Sequence, residues 1–288
     1  MSQISPDASG AGGGVAPVQP PGPAPAGYAP LESAGTAPFT KHTAWLWFIF
    51  ALAGFLAGQI IALLFGNLAG QLAGKSTAQM KAISTASVPP EWYVVTTLFG
   101  LWIGFAGAPW LASRTQGTRH FLRDLGVRFR WVDLWGLGIG VAGQIGIALL
   151  YAPFRHEIHN FNAPSQKLTG GSHGGGFLII ALATVIGAPF MEELFFRGLL
   201  FKSLARLLTH RASPPRGFGV VLAVIVDGLL FGLAHGEWVQ LAGLALFGAV
   251  LAAISFRTGR LGMNIVSHAS FNLVAVLVIA GQRGGVIH

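Results

Sequence analysis

Two adjacent glutamates and an arginine lie inside an apolar stretch of this chain, in the segment APFMEELFFRG at residues 188–198. An ionised side chain at mid-bilayer costs about 2.5 to 3.5 kcal/mol on insertion scales, so charge there indicates function if partners can be named. Glu193 and Arg197 are four residues apart, share one helix face and can pair. Glu192 points about 100° away from that face, because a helix has 3.6 residues per turn. The sequence therefore leaves Glu192 available for chemistry.

Two further apolar segments carry polar side chains at helical spacing. Phe231 and His235 are four residues apart, as are His268 and Asn272, so each pair shares a helix face. If these faces meet Glu192, the carboxylate can take a proton from water, while His235 positions that water or protonates the leaving amine. His268 and Asn272 can then donate hydrogen bonds to the oxyanion that forms when an acyl group is hydrolysed.

Each of these residues also has a purely structural interpretation. An intramembrane histidine or asparagine is often an interhelical hydrogen-bond donor, worth about 1 to 2 kcal/mol, and the glutamates can simply neutralise Arg197. The occurrence of all these groups in successive apolar segments favours a catalytic site. Asp227, one turn before Phe231, can orient His235, cap the cavity or bond to a neighbouring helix, so it stands outside the catalytic set as a possible supporting residue.

Composition identifies the elements that must position these groups. Of the 288 residues, 52% are apolar and only 10% are charged, and the mean hydropathy is +0.61, whereas a soluble domain carries about a quarter charged residues. Seven segments are long and apolar enough to cross a hydrocarbon layer about 30 Å thick. They are residues 44–66, 92–112, 131–151, 177–201, 218–234, 238–256 and 262–280. The sequence therefore predicts an all-α, polytopic membrane helix bundle of about seven transmembrane helices.

Positive charges lie in alternate loops between these segments. Five basic residues separate the second segment from the third, four the fourth from the fifth, and two the sixth from the seventh. By the positive-inside rule these loops are cytoplasmic, which predicts a multi-pass protein of the cell membrane with a cytoplasmic N-terminus. No basic stripe follows a single element, so the net charge of +8 does not indicate a nucleic-acid surface. The chain has no cysteine, which excludes a thiol nucleophile and thiolate metal ligands.

Four regions are expected along the chain. Residues 1–43 are rich in Gly, Pro and Ala, which predicts a disordered cytoplasmic tail. Residues 44–176 form an N-terminal transmembrane region of three spans and end in a predicted flexible outer loop, GGSHGGG. Residues 177–280 form a core of four spans that carries the candidate site, and residues 281–288 form a short C-terminal tail.

The polar motifs occur in the order EExxxR, FxxxH and HxxxN on separate apolar segments. In this the chain resembles the CPBP family of intramembrane proteases, the CAAX-processing and bacteriocin-processing group that includes the Rce1-type enzymes. The resemblance implies an all-helical membrane fold with a site open to the cytoplasm. It also implies that the first glutamate is the water-activating base, the FxxxH histidine its partner, and the HxxxN pair the oxyanion stabilisers. The matching catalytic residues are Glu192, His235, His268 and Asn272, with Glu193, Arg197 and Phe231 in support.

A metal ion is an alternative source of activated water. Glu192, His235 and His268 can hold zinc in principle, since three protein ligands and a water make a catalytic zinc site. The motif HExxH is absent, and HEIH at 156–159 spaces its histidines by three residues in a predicted loop. Members of the family have been described both as metalloproteases and as glutamate proteases. We favour the mechanism without a metal or other cofactor and keep zinc as the alternative.

The expected activity is intramembrane hydrolysis of a peptide bond in a membrane-associated or lipidated polypeptide. Its partners are then that polypeptide and the lipid bilayer, without nucleic acid. Eukaryotic relatives cut after a prenylated cysteine; no residue here indicates that preference, and the composition, rich in Gly, Ala and Arg, looks bacterial. The alternatives are a non-catalytic membrane scaffold or bacteriocin-immunity protein, which uses the same groups for packing or partner binding, and a transporter.

Helix geometry conflicts with the motifs at one residue. At 1.5 Å per residue, His235 lies roughly 28 Å past Arg216, near the outer surface. Glu192 and His268 lie only about 12 to 15 Å from the basic ends of their segments, although the motifs require all three residues at one depth. Either the fifth segment starts well inside the cytoplasm, or GEWVQ at 236–240 re-enters the bilayer against a cavity.

Overall fold

A computed structural model describes residues 41–154, 172, 174–209 and 217–283 of the chain. Within these ranges the protein is helical and contains no β-strand. Residues 1–40 of the predicted tail, the HEIH segment, part of the GGSHGGG loop and residues 284–288 lie outside the described residues.

Nine helices succeed one another in the described ranges. They are α1 (Lys41–Leu72), α2 (Thr77–Thr85), α3 (Glu91–Gln116), α4 (Phe121–Leu125), α5 (Trp135–Tyr151), α6 (Gly175–Leu208), α7 (Phe218–Ala234), α8 (Leu241–Thr258) and α9 (Gly262–Arg283). Six are long and apolar enough to cross a membrane, namely α1, α3, α5 with its flanking 3₁₀ turns, α6, α8 and α9. α7 is a shorter apolar helix of 17 residues. The predicted fold class, an all-α polytopic membrane bundle, is confirmed.

Two short helices, α2 and α4, lie outside the predicted segments. α2 begins with a capping box, in which Gln79 N donates to Ser76 Oγ at 3.3 Å and Ser76 N donates to Gln79 Oε1 at 2.8 Å. The letters STAQ at 76–79 carry this signal. Hydropathy over long windows does not detect it, because the helix is short and polar.

Small residues join the helices in pairs. α1 runs antiparallel to α3, and Gly104 lies so close to Gly54 and Gly58 that a Cβ atom would overlap their backbone. α5 runs parallel to α9: Gly140 packs against the backbone of Ser267, and the side chain of Gln144 donates to the next turn of α9 at 3.0 Å. Close backbone approach at small residues is the usual way in which membrane helices associate.

α6 occupies the centre of the bundle and contacts α1, α3, α7, α8 and α9. Its hydrogen-bond pattern changes along its length: Ala183–Gly187 and Leu194–Phe201 are π-helical, and Ala188–Glu193 between them is α-helical. All eight residues of the second π segment are buried. Since π turns inside α-helices are frequent at functional sites, the two glutamates stand at a place where such a site is expected.

The described parts of the three basic loops meet at one end of the bundle. Arg260, before α9, pairs with Asp133, before α5, at 2.7 Å. Lys202 of α6 donates to Asp124 O in α4 at 3.0 Å. The segments that carry most of the positive charge are therefore on the same side, as their alternation along the chain predicts.

The fold accounts for the depth of His235. α6 continues to Leu208, seven residues past the predicted end of the segment, and Gly219 at the start of α7 packs against Leu208. Sixteen residues separate Glu192 from Leu208 and sixteen separate Gly219 from His235. Both residues therefore lie at a similar distance from the same end of the helix pair, about 24 Å along the α-helical turns of α7. α7 therefore begins beyond Lys202 and ends level with Glu192. This agrees with the first explanation given above, in which the fifth segment starts well inside the cytoplasm.

Candidate active site

Glu192, His235 and His268 come together from three helices. Glu192 Oε2 lies 3.9 Å from His235 Nε2 and 3.9 Å from His268 Nε2. Glu192 belongs to α6, His268 belongs to α9, and His235 is the C-cap residue that follows α7. The side chain is 16% exposed for Glu192, 4% for His268 and 32% for His235. The cluster is therefore mostly enclosed and most accessible at His235.

The oxygen of Glu192 that faces both histidines is buried, and none of the described groups donates a hydrogen bond to it. A separation of 3.9 Å is too long for a direct hydrogen bond, and polar groups at such a distance are often joined by a water molecule that contacts both. Leaving a buried acceptor without a donor is costly, so such an atom needs an explanation. A water held between the carboxylate and the imidazoles provides one.

A second hydrogen bond orients each imidazole. His235 Nδ1 lies 2.8 Å from Phe231 O, and His268 Nδ1 lies 3.0 Å from Glu193 Oε1. A carbonyl and a carboxylate oxygen can only accept, so Nδ1 of each ring carries a proton and donates. Nε2 of both rings therefore faces Glu192, and in the neutral imidazole it holds a lone pair.

Glu193 and Arg197 form a fully buried ion pair, in which Arg197 Nη1 lies 2.9 Å from Glu193 Oε1. The same oxygen accepts from His268, and the other oxygen of Glu193 lies 3.4 Å from Asn264 Nδ2. The four-residue spacing in the sequence predicts the pair of Glu193 with Arg197. It does not show that Glu193 also orients a histidine.

Arg197 is enclosed on its remaining sides. Its Nη2 donates to Gly248 O at 2.9 Å, and its Nε lies 3.4 Å from Asp227 Oδ2. Its guanidinium stands 4.4 Å from the centre of the Phe231 ring. Asp227 therefore contacts a charged group of a neighbouring helix, and its carboxylate is not the group that orients His235.

Phe231 touches three members of the site. Besides Arg197, its ring lies edge-on to His235 and to His268, with centroid distances of 4.7 and 5.5 Å. Its side chain is buried, and its carbonyl holds His235 Nδ1. The four-residue spacing of FxxxH thus places both an aromatic wall and an acceptor beside one histidine.

α9 presents polar side chains at four-residue intervals: Asn264, His268 and Asn272. Asn272 Nδ2 donates to Thr184 O at 2.8 Å, which ties α9 to the first π segment of α6. Asn264, absent from the predicted site, donates to Leu251 O at 2.7 Å and lies beside Glu193. Its position one turn before His268 is the signal that could have revealed it.

The same cluster can be compared with a zinc site. Two ligands of a tetrahedral zinc ion, each about 2.0 to 2.1 Å from the metal, lie about 3.4 Å apart; Glu192 Oε2 is 3.9 Å from each histidine. Among the residues that the structure describes, no group of three His, Cys, Asp or Glu side chains is arranged to hold a metal ion. The two distances to Glu192 are therefore about 0.5 Å wider than those of a zinc site.

Residues 174–274 match the family described as type II CAAX prenyl endopeptidase, Rce1-like. The matched range contains Glu192, His235, His268 and Asn272. No curated protein and no solved structure matches the chain.

Proposed function

Because residues 174–274 match the Rce1-like family of type II CAAX prenyl endopeptidases, we propose that this membrane protein is an intramembrane endopeptidase. It hydrolyses a peptide bond of a membrane-associated or lipidated polypeptide with water activated by Glu192. The observation that carries the proposal is the buried Oε2 of Glu192, which has no donor among the described groups and lies 3.9 Å from the Nε2 atoms of two histidines.

Glu192 is the general base. A water between Glu192 Oε2 and His235 Nε2 donates one hydrogen to each acceptor, because His235 carries its own proton on Nδ1. As the water oxygen attacks the scissile carbonyl carbon, its proton passes to Glu192. The bond from His235 Nδ1 to Phe231 O keeps Nε2 pointed at that water.

His268 and Asn272 stabilise the oxyanion of the tetrahedral intermediate. When His268 carries a second proton, on Nε2, the imidazolium is a donor on that side and lies against the carboxylate of Glu193 on the other. Asn272 uses one amide hydrogen on Thr184 O and offers the second. The intermediate breaks down when Glu192 returns the proton to the leaving nitrogen, directly or by way of His235 Nε2, so that the C–N bond cleaves and an acid and an amine are released.

The candidate site lies among helices that can span the membrane, and such a position suits a substrate that arrives through lipid. We place the protein in the cell membrane with the N-terminus in the cytoplasm, since α1 begins at the end of the bundle where the basic loops lie. The name of the matching family refers to a prenylated substrate, so a lipidated peptide is the first to try.

The test is cleavage by the purified protein in liposomes. The probes are a quenched fluorogenic peptide that ends in a farnesylated CAAX sequence, the same peptide without the lipid, and a library of hydrophobic peptides. We expect Glu192→Gln to lower kcat at least about 100-fold, because the general base is lost. Glu237→Gln, which removes a carboxylate two residues from His235, is the matched control and should retain activity.

Three results would contradict this mechanism. Absence of cleavage by the wild type, or cleavage unaffected by Glu192→Gln, favours the membrane scaffold. Activity should survive a strong chelator; its loss with chelator and return with zinc would assign the activated water to a metal.

A further inference from the structure

Asp227 is a buried acid that the proposed chemistry does not use. Its side chain is fully enclosed in α7, and none of the described groups donates a hydrogen bond to either of its oxygens. The charged group beside it is Arg197, whose Nε lies 3.4 Å from Asp227 Oδ2. A carboxylate in such a place must be stabilised by that guanidinium, since burial of an isolated charge is very unfavourable.

The guanidinium of Arg197 is fixed from four directions. Glu193 holds Nη1, Gly248 O holds Nη2, Asp227 faces Nε, and the ring of Phe231 covers one face. The two carboxylates come from different helices and pull on different nitrogens. Removing the charge of Asp227 therefore lets the guanidinium move toward Glu193 and Gly248.

Such a movement reaches the catalytic cluster in two steps. Glu193 Oε1 accepts from Arg197 Nη1 at 2.9 Å and from His268 Nδ1 at 3.0 Å. The position of Arg197 thus determines the position of Glu193, which in turn sets the angle at which His268 Nε2 faces Glu192. A small displacement matters, because a misplacement of about 1 Å can lower a rate about 100-fold.

We propose that Asp227 is a positioning residue for the hydrolysis, acting through Arg197 and Glu193 on the orientation of His268. The inference rests on the proposed function for its kinetic consequence. The contacts themselves do not depend on that function. Arg197 lies between the buried acids Asp227 and Glu193, and Glu193 contacts His268.

The experiment compares Asp227→Asn with a matched acid-to-amide change elsewhere in the chain. Asp133→Asn removes a buried acid that pairs with Arg260 at 2.7 Å, at the basic end of the bundle. With the farnesylated fluorogenic peptide, we expect Asp227→Asn to lower kcat about 10- to 100-fold with little change in KM. Asp133→Asn should leave kcat unchanged, although it can lower the melting temperature. Asp227→Glu, which keeps the charge, should restore part of kcat and is the variant to use if Asp227→Asn does not fold.

A second readout needs no substrate. Diethyl pyrocarbonate modifies unprotonated imidazole nitrogen, and mass spectrometry reports the rate at His268, with exposed His42 as the internal reference. We expect faster modification of His268 in Asp227→Asn and no change in Asp133→Asn.

The outcomes separate the two proposals. If the wild type does not cleave the peptide, the proposed function fails, while the modification rate of His268 still tests the positioning role. If the wild type cleaves but kcat and the modification rate are the same in Asp227→Asn, only the positioning role is overturned. A loss of kcat that Asp133→Asn matches would make Asp227 an ordinary stabilising residue.

Discussion

Arg197 is the residue on which the buried charges of the site depend. It lies between Glu193 and Asp227, and all three side chains are fully buried. Arg197→Met keeps an unbranched side chain of similar length but leaves two acids without their counter-charge. Breaking a buried pair in this way typically costs about 3 to 5 kcal/mol of unfolding free energy.

Thermal and denaturant unfolding in detergent measure that loss. Arg257→Met, at an exposed position in the last turn of α8, is the matched control and should change stability by less than about 0.5 kcal/mol. Equal stability of the two variants would show that the acids do not need Arg197.

Spacing within one helix could be read from the sequence, and contacts between helices could not. The i, i+4 rule gives Glu193 with Arg197 and leaves Glu192 unpaired, and the structure has this arrangement. It cannot show that Asp227 of α7 faces Arg197, or that Glu193 holds His268, because these contacts depend on how three helices pack. The roles of Glu192, His235, His268 and Asn272 in catalysis remain predictions.

At the scale of helices, the contact between α5 and α9 brings His268 to the site. A Cβ at Gly140 would overlap the carbonyl of Ser267 and the amide of Phe271, whereas a Cβ at Gly138 meets no atom within 4 Å. Gly140→Ala should therefore push α9 away, with a cost of about 1 to 3 kcal/mol from overpacking. Cleavage of the fluorogenic peptide should fall with it, since α9 carries two members of the site.

Gly138→Ala is the control for this prediction. Alanine is a better helix former than glycine by up to about 1 kcal/mol, so this variant should be as stable as the wild type or more so. Both are measured by the melting temperature in detergent and by kcat. A Gly140→Ala protein with wild-type activity would show that the spacing of α5 and α9 does not set the site.

Hydropathy predicted the seven apolar segments but not the form of α6. The predicted segment at 177–201 ends where Lys202 introduces charge, yet the helix continues to Leu208 because its last turns pack against α1 and α7. Its π segments could not be predicted from the sequence either. A helix that is apolar on all faces has no periodic pattern that distinguishes 3.6 residues per turn from a wider turn. The error in the end of α6 produced the conflict over the depth of His235.

For the whole molecule, the charge distribution predicts which end faces the cytoplasm. The chain has no cysteine, so single cysteines can be added without a background. Thr115→Cys marks the basic end of α3 and Ser84→Cys marks α2 at the opposite end; both positions are exposed. In intact cells, a membrane-impermeant maleimide should label Ser84→Cys at once and Thr115→Cys only after permeabilisation. The reverse pattern would invert the proposed orientation.

The pairing of Glu193 with Arg197 inside one helix also bears on how the protein is made. α6 can leave the translocation machinery with one positive and one negative charge already neutralised on its own surface. α7 carries Asp227 alone, and its countercharge lies on α6. α7, with 17 residues, is also the one apolar helix of the described ranges that is not among the six long enough to cross a membrane. Its stable insertion therefore depends on a partner synthesised before it, and the order of the helices along the chain is the order in which assembly can proceed.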